Sequence, residues 1–265
     1  MQPQPFYLPH NLHPAYHLRY GWTGWPSSGP LPPLPPPGLL DSLAHAWETD
    51  GLRLVEHRWG TSQIQLTFST TPQTPPQLVA ARAKGRLQHA LAHAGCDARF
   101  ARNFAVRAIG DNTRAAVEAY VRGQASRSDL ADPSLVRLLD AYRIVDPNVT
   151  LASPVPTGSG RYWYVLHLVL VVAARDRMGN RETLAALRNM ALRLGRAKGI
   201  GIADLSFMPD HMHAVVRPPP GMSPEVVALA FQNNLAWAAG KCRVWEDTYY
   251  VGTCGEYTMG AVRKR

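Results

Sequence analysis

The feature that most constrains this chain is an internal repeat, because a repeat fixes the number of folding units before any single element is assigned. The segment from Gly51 to Gln65 matches that from Gly199 to His213 in pattern. Glu56 falls opposite Asp204, Trp59 opposite Phe207, and Gln63-x-Gln65 opposite His211-x-His213. The correspondence runs on through Pro76 and Pro224 to Leu87 and Leu235. It resumes where Phe100 to Thr113 pairs with Trp245 to Thr258, and Val117 pairs with Val262. On this alignment Tyr120 falls opposite Arg265, so the second copy stops where its own tyrosine helix would begin. Tyr16 to Tyr20 is set against Leu166 to Leu170 as the first strand of each copy.

Each copy then reads as strand, helix, strand pair, helix, short strand and final helix. The first strands fall at about 15–22 and 163–174, and the next helices at about 39–50 and 181–198. The strand pairs follow at about 52–57 with 62–69, and 200–207 with 211–217. Long helices at about 75–94 and 223–240 and short strands at about 103–108 and 248–253 complete the pattern. A last helix is expected over about 112–124, capped by Asp111 or Asn112, and is only begun in the second copy. This order predicts an α+β fold of two tandem copies, each an antiparallel sheet with helices packed on it. Residues 1–124 form the first copy, 125–160 a linker and 161–265 the second copy. Within the linker, Pro133 to Tyr142 reads as a short helix and Ala152 to Gly160 as a flexible tether. The run from Pro30 to Gly38 reads as a stiff polyproline spacer, with a partner-binding role as the alternative.

The 265 residues suit two domains of about 100–150 residues each. Net charge is +9, and arginine supplies most of the 28 basic residues. Such a surface favours a polyanion, nucleic acid first; biased coding is the other source of excess arginine. Cys96, Cys242 and Cys254 have neither the number nor the spacing for a disulfide framework or a zinc site, which suits a reducing cytoplasm. The start lacks a basic segment followed by an apolar one, so no signal peptide is expected. The longest apolar run, Val165 to Ala174, is broken by His167 and too short to span a bilayer.

Alternate residues of a strand share a face, so His211 and His213 present two imidazoles side by side, a donor set suited to a divalent metal. Tyr120 and Gln124 stand one helical turn apart. A phenol is a weak nucleophile near neutral pH because its pKa is about 10, and a nearby divalent cation favours attack on phosphate. Gln124 offers a neutral oxygen as a third ligand. Two imidazoles and one amide leave positions open for phosphate oxygens and water, as Mg²⁺ or Mn²⁺ requires and closed structural zinc does not.

Met208-Pro-Asp-His-Met-His213, together with Ala119-Tyr-Val-Arg-Gly-Gln124, resembles the HUH-type single-tyrosine transposases of bacterial insertion sequences, whose domain is ferredoxin- or RRM-like. Tyr249 to Gly255 is similar to the element that precedes their tyrosine helix. The resemblance covers roughly 15–124 and 162–265. It implies a metal held by His211, His213 and Gln124, and Tyr120 as nucleophile. It also implies nicking and rejoining of single-stranded DNA beside hairpins through a 5′-phosphotyrosine link. Family members are typically homodimers in which one subunit's tyrosine helix can complete the other's histidine site. Here Gln63 and Gln65 replace the histidines of copy one, and copy two lacks the tyrosine. One composite site remains, in a monomer that acts as an intramolecular pseudo-dimer in the bacterial cytoplasm, associated with the nucleoid.

Two alternatives stay open. One is an inactive protein that binds hairpin or single-stranded DNA. The other is catalysis within copy two by Tyr250 or Tyr257. A domesticated role in processing DNA ends or repeats is open beside transposition. Arg82, Lys84 and Arg86, with Arg99, Arg102 and Arg107, are candidate phosphate contacts, and Trp59, Phe100 and Phe104 are either base-stacking or core aromatics.

Overall fold

Two mixed sheets carry the fold in the computed structural model, which describes residues 4–127, 132–175, 178–240 and 243–264. Cys242 and Arg265 lie outside the described residues. The first half contributes β1 (Ala15–His17), β2 (Arg19–Pro26), α1 (Leu39–Glu48), β3 (Leu52–Trp59), β4 (Ile64–Thr70), α2 (Pro76–His93) and β5 (Phe100–Ala108). The connecting region holds α3 (Arg114–Arg122), α4 (Gln124–Arg127), α5 (Pro133–Tyr142), β6 (Ile144–Val145) and β7 (Val155–Pro156). The rest comprises β8 (Gly160–Trp163), β9 (Leu166–Val171), α6 (Arg181–Lys198), β10 (Gly201–Phe207), β11 (His211–Arg217), α7 (Pro224–Ala238), β12 (Tyr250–Thr253) and α8 (Met259–Lys264).

One sheet runs β3-β4-β2-β5-β8-β7 and the other β1-β12-β9-β11-β10-β6. Most pairs are antiparallel, and each sheet holds one parallel pair, β5 with β8 and β12 with β1. Those two pairs are exchanges: β8 leads into β9 of the other sheet, and β1 leads into β2. The fold is α+β.

The two ladders correspond. Tyr20 pairs with Phe68 and Ala108, while Leu166 pairs with Val216 and Thr253. Tyr20 is therefore the counterpart of Leu166. The match of Tyr16 with Leu166 expected from sequence is four residues out of register, because the similarity of the two His-Leu dipeptides outweighed the hydrogen-bond register. Both sheets also carry a register shift at the same place, between Leu54 and Glu56 and between Ile202 and Asp204. A bulge re-aims the side chains beyond it, and here it turns Glu56 and Asp204 towards helices arriving from the opposite half.

Those helices arrive by a crossing. Gly110 bridges Thr258, and Thr113 bridges Gly255. Gly255 O accepts from Arg114 N, and Gly110 O accepts from Met259 N. The crossing needs glycine at both points. A Cβ on Gly255 would lie 1.9 Å from Ala108 O, and one on Gly110 2.6 Å from Thr253 O. Past the crossing, α3 packs on β10 and β11, while α8 reaches β3, where Arg263 Nε meets Glu56 at 3.2 Å.

One apolar core joins the halves, with Tyr20 and Tyr164 ring centroids 6.0 Å apart within it. Trp59, expected either in the core or on DNA, packs partly buried against that core; Phe100 and Phe104 are buried in it. Leu31 is buried, and Trp59 Nε1 donates to Pro32 O, so the proline-rich run is strapped to the β3–β4 hairpin. The expected flexible tether is ordered: Val155 pairs with Tyr162 and Pro156 with Arg161. The tight turn between them closes on the Thr157 hydroxyl, which accepts from Gly160 N. No helix among the described residues is long and apolar enough to cross a membrane.

Candidate functional site

His211 and His213 lie on β11 with side chains on the face that α3 covers, opposite the face bearing α6 and α7. Their rings are 4.8 Å apart and nearly perpendicular. His213 is buried. Burial lowers its pKa from 6.5 to about 3, with the neighbouring imidazoles His167 and His211 adding to the shift.

Tyr120 reaches this pair from the other half of the chain. Thr113 caps α3 by accepting from Ala116 N, rather than Asp111 or Asn112 as expected. The spacing of Val117 and Val121 then builds one apolar face. That face packs on Leu151, Val165, Ala203, Val215 and Cys254. Two polar ties fix the helix in place. Arg122 clasps the fully buried Asp204 through Nε at 2.6 Å and Nη2 at 3.1 Å, and Ser206 Oγ donates to Val121 O at 2.7 Å. Hydrogen bonding to Asp204 raises the Arg122 pKa above its ordinary value. Held so, the half-exposed Tyr120 ring stands 5.4 Å from His213 and 6.4 Å from His167, edge-on to both.

Gln124 is placed differently from expectation. The helix ends at Gly123, so Tyr120 and Gln124 do not share one continuous helix. Gln124 opens α4, which packs on β10, and is buried where Tyr120 is exposed.

His167 belongs to the site and was passed over in the sequence, where it read only as a break in an apolar run. Its Nε2 shares a 2.9 Å hydrogen bond with His213 Nδ1, and the two rings stack at 5.2 Å. Burial lowers its pKa from 6.5 to about 4. The lone polar residue in Val165 to Ala174, on the outward phase of a strand, was the available signal. Tyr250, on the adjacent β12, approaches His167 at 5.8 Å. Tyr257 lies elsewhere, lining a cavity with Gln65 and Arg107.

The donor chemistry fits a divalent cation at His211 and His213. His211 Nδ1 meets Asp210 Oδ1 at 2.6 Å, and His213 Nδ1 is engaged by His167. Partners on both Nδ1 atoms orient the rings, and in the tautomer where each Nδ1 carries the proton, Nε2 is the nitrogen that could hold a metal. Buried, neutral imidazole is the ligating form. Among the described residues no three His, Cys, Asp or Glu side chains form a ready metal cage.

The candidate DNA-contact arginines do not form one patch. Arg82 and Arg86 are paired with Asp50. Lys84 Nζ donates to Ala101 O, and Lys84, Arg99 and Arg102 line a cavity of about 890 Å³ beside α2. Arg107 lies on the opposite face of its sheet, its guanidinium 3.5 Å over the Trp163 ring.

Residues 161–264 match the family model described as the IS200-like transposase. No curated protein matches the chain. Among solved structures, a REP-associated tyrosine transposase bound to a REP hairpin is 14% identical with a TM-score of 0.32; the match covers 38% of this chain and 61% of that one. This chain thus spans about three fifths of that protein's length. A candidate transposase from Deinococcus radiodurans R1 is 20% identical with a TM-score of 0.33, over 42% of this chain and 94% of that one. The stretch that matches the IS200-like transposase model is the one that carries the histidine pair.

Proposed function

We propose that the chain is a fused pseudo-dimer that nicks and rejoins single-stranded DNA at one composite site. Residues 1–124 form one copy and 161–265 the other. The observation that carries this reading is the approach of Tyr120, from the first half, to His213, from the second, at 5.4 Å.

In this reading His211 and His213 hold a divalent cation, Mg²⁺ or Mn²⁺, with Gln124 as the family's third ligand. The bound cation supplies charge neutralisation at the phosphate under attack. Tyr120 Oη attacks phosphorus, the phosphodiester P–O3′ bond breaks, and the 3′ oxygen leaves as a hydroxyl after taking up a proton. The phenol proton passes to solvent, which reaches the half-exposed ring. The 5′-phosphotyrosine so formed keeps the energy of the broken diester, and attack by a 3′-hydroxyl restores DNA without a nucleotide cofactor. Asp210 and His167 orient the two ligand rings, and the Arg122–Asp204 clasp holds the nucleophile over them.

The test is covalent capture of labelled hairpin-bearing single-stranded DNA in Mn²⁺. Wild-type protein forms an adduct; Tyr120→Phe and His211→Ala form none. The contact of Tyr250 with His167 makes Tyr250 the competing nucleophile. An adduct that survives Tyr120→Phe and disappears in Tyr250→Phe assigns the chemistry to the second half alone. A folded protein that binds the DNA and never forms an adduct returns the reading to a binding module.

A further inference from the structure

We propose that the face of the first-half sheet where Gln63 and Gln65 stand in place of the histidines is a second nucleic-acid site, one that binds an unpaired stretch of the DNA strand and performs no chemistry. The choice of DNA as the strand rests on the function proposed above.

A cleft of about 750 Å³ lies on this face. Its origin is legible in the strand register. One row across the sheet reads Gln65, Thr23, Ala105, Arg161. The corresponding row of the other sheet reads His213, Val169, Tyr250, Ala15. Ala105 stands where Tyr250 stands, so the middle of the row is open. With neighbouring strands about 4.8 Å apart, a cleft roughly 14 Å wide separates Gln65 from Arg161. The next row differs as well: Arg107 lies beside Gly21, where the other sheet has Gly252 beside His167.

The lining has the composition of a strand-binding surface. Trp25, more than a third exposed, projects from β2 into the cleft. Arg107 lies flat on Trp163, whose Nε1 donates to Ala152 O, so the guanidinium plane is held in place. Indole and guanidinium planes are the two surfaces on which unpaired bases stack. Gln63, Gln65 and Asn103 supply amides, which pair with base edges through one donor and one acceptor each. Arg161 is exposed at the rim for a phosphate. Glu256 approaches Arg107 at 3.7 Å and is the acidic group at this end. Loss of the histidines thus leaves a pocket of neutral hydrogen-bonding groups between two cations, which suits a nucleotide and not a divalent metal.

The test uses full-length protein in EDTA, so that the metal site and its chemistry do not enter. The probe is an oligodeoxythymidylate of about 12 nucleotides carrying 5-iododeoxyuridine. Photocross-links mapped by mass spectrometry fall on Trp25 or Trp163, and Trp25→Ala and Arg161→Ala each weaken binding by about tenfold. Cross-links confined to the Lys84, Arg99 and Arg102 cavity or to Tyr120, with affinity unchanged in both variants, overturn the proposal; so does the absence of binding. Because no cleavage is read, a failed adduct assay leaves this result intact, and the converse holds too.

Discussion

His167 and His213 are neutral because the fold buries them, and this gives the protein a pH response of predictable sign. Their pKa values fall from 6.5 to about 4 and about 3. The unfolded chain therefore binds protons that the folded chain refuses. Stability is full above about pH 6.5 and declines as pH falls towards about 4. Thermal melting of metal-free protein is expected to show a lower midpoint at about pH 5 than at about pH 7, with a smaller difference in His167→Asn. The same substitution replaces the ring on His213 Nδ1 by an amide of other reach. On the metal site proposed above, it is expected to lower Mn²⁺ affinity by about 10- to 100-fold, as loss of an orienting partner does, read by titration calorimetry. Unchanged affinity removes His167 from the positioning role. Cys254, by contrast, is buried with its thiol pushed up to about 12, and is inert packing.

At the scale of the element, α3 is nine residues long and stays in place through its contacts with the opposite sheet. So short a helix is marginal alone. Its valine face and the Arg122–Asp204 clasp supply what propensity does not. Arg122→Ala leaves Asp204 buried and unpaired at a cost of roughly 2–3 kcal/mol, below the full value for a buried pair because Arg122 is about half exposed. Asp204→Asn keeps one hydrogen bond to Arg122 and costs less. Chemical denaturation is expected to rank wild type, Asp204→Asn, Arg122→Ala from most to least stable. Adduct formation falls in the same order, since both read the seating of α3. Equal stability of wild type and Arg122→Ala sinks the idea that the clasp holds the helix. The break at Gly123 belongs here as well. A helix through Gln124 is what the spacing favours, and the chain turns instead so that α4 packs against β10 and α5.

At the scale of the whole molecule, the crossing of the Gly110 and Gly255 segments carries each terminal helix to the far sheet. On the fused pseudo-dimer proposed above it stands in for a dimer interface, so a single chain in solution is expected, with one phosphotyrosine per chain at saturation. Light scattering and intact-mass measurement check both. Gly255→Ala forces a methyl group into Ala108 O and is expected to cost several kcal/mol or block folding. A Gly255→Ala protein of unaltered stability shows that the crossing is not the junction described.

Much of the molecule was legible before any coordinates. Element order followed from hydrophobic period, and strand alternation put His211 and His213 side by side. These are properties of local pattern, which side-chain alternation and helical spacing write directly into sequence. What only the tertiary structure decided were the matters of register and crossing. Tyr20, not Tyr16, is the counterpart of Leu166; β1 and β8 exchange sheets; His167 joins His213; Arg107 faces away from Lys84 and Arg102. Each depends on which backbone groups pair across the chain. A slip of a few residues costs nothing in local pattern while it moves every side chain to a new neighbour.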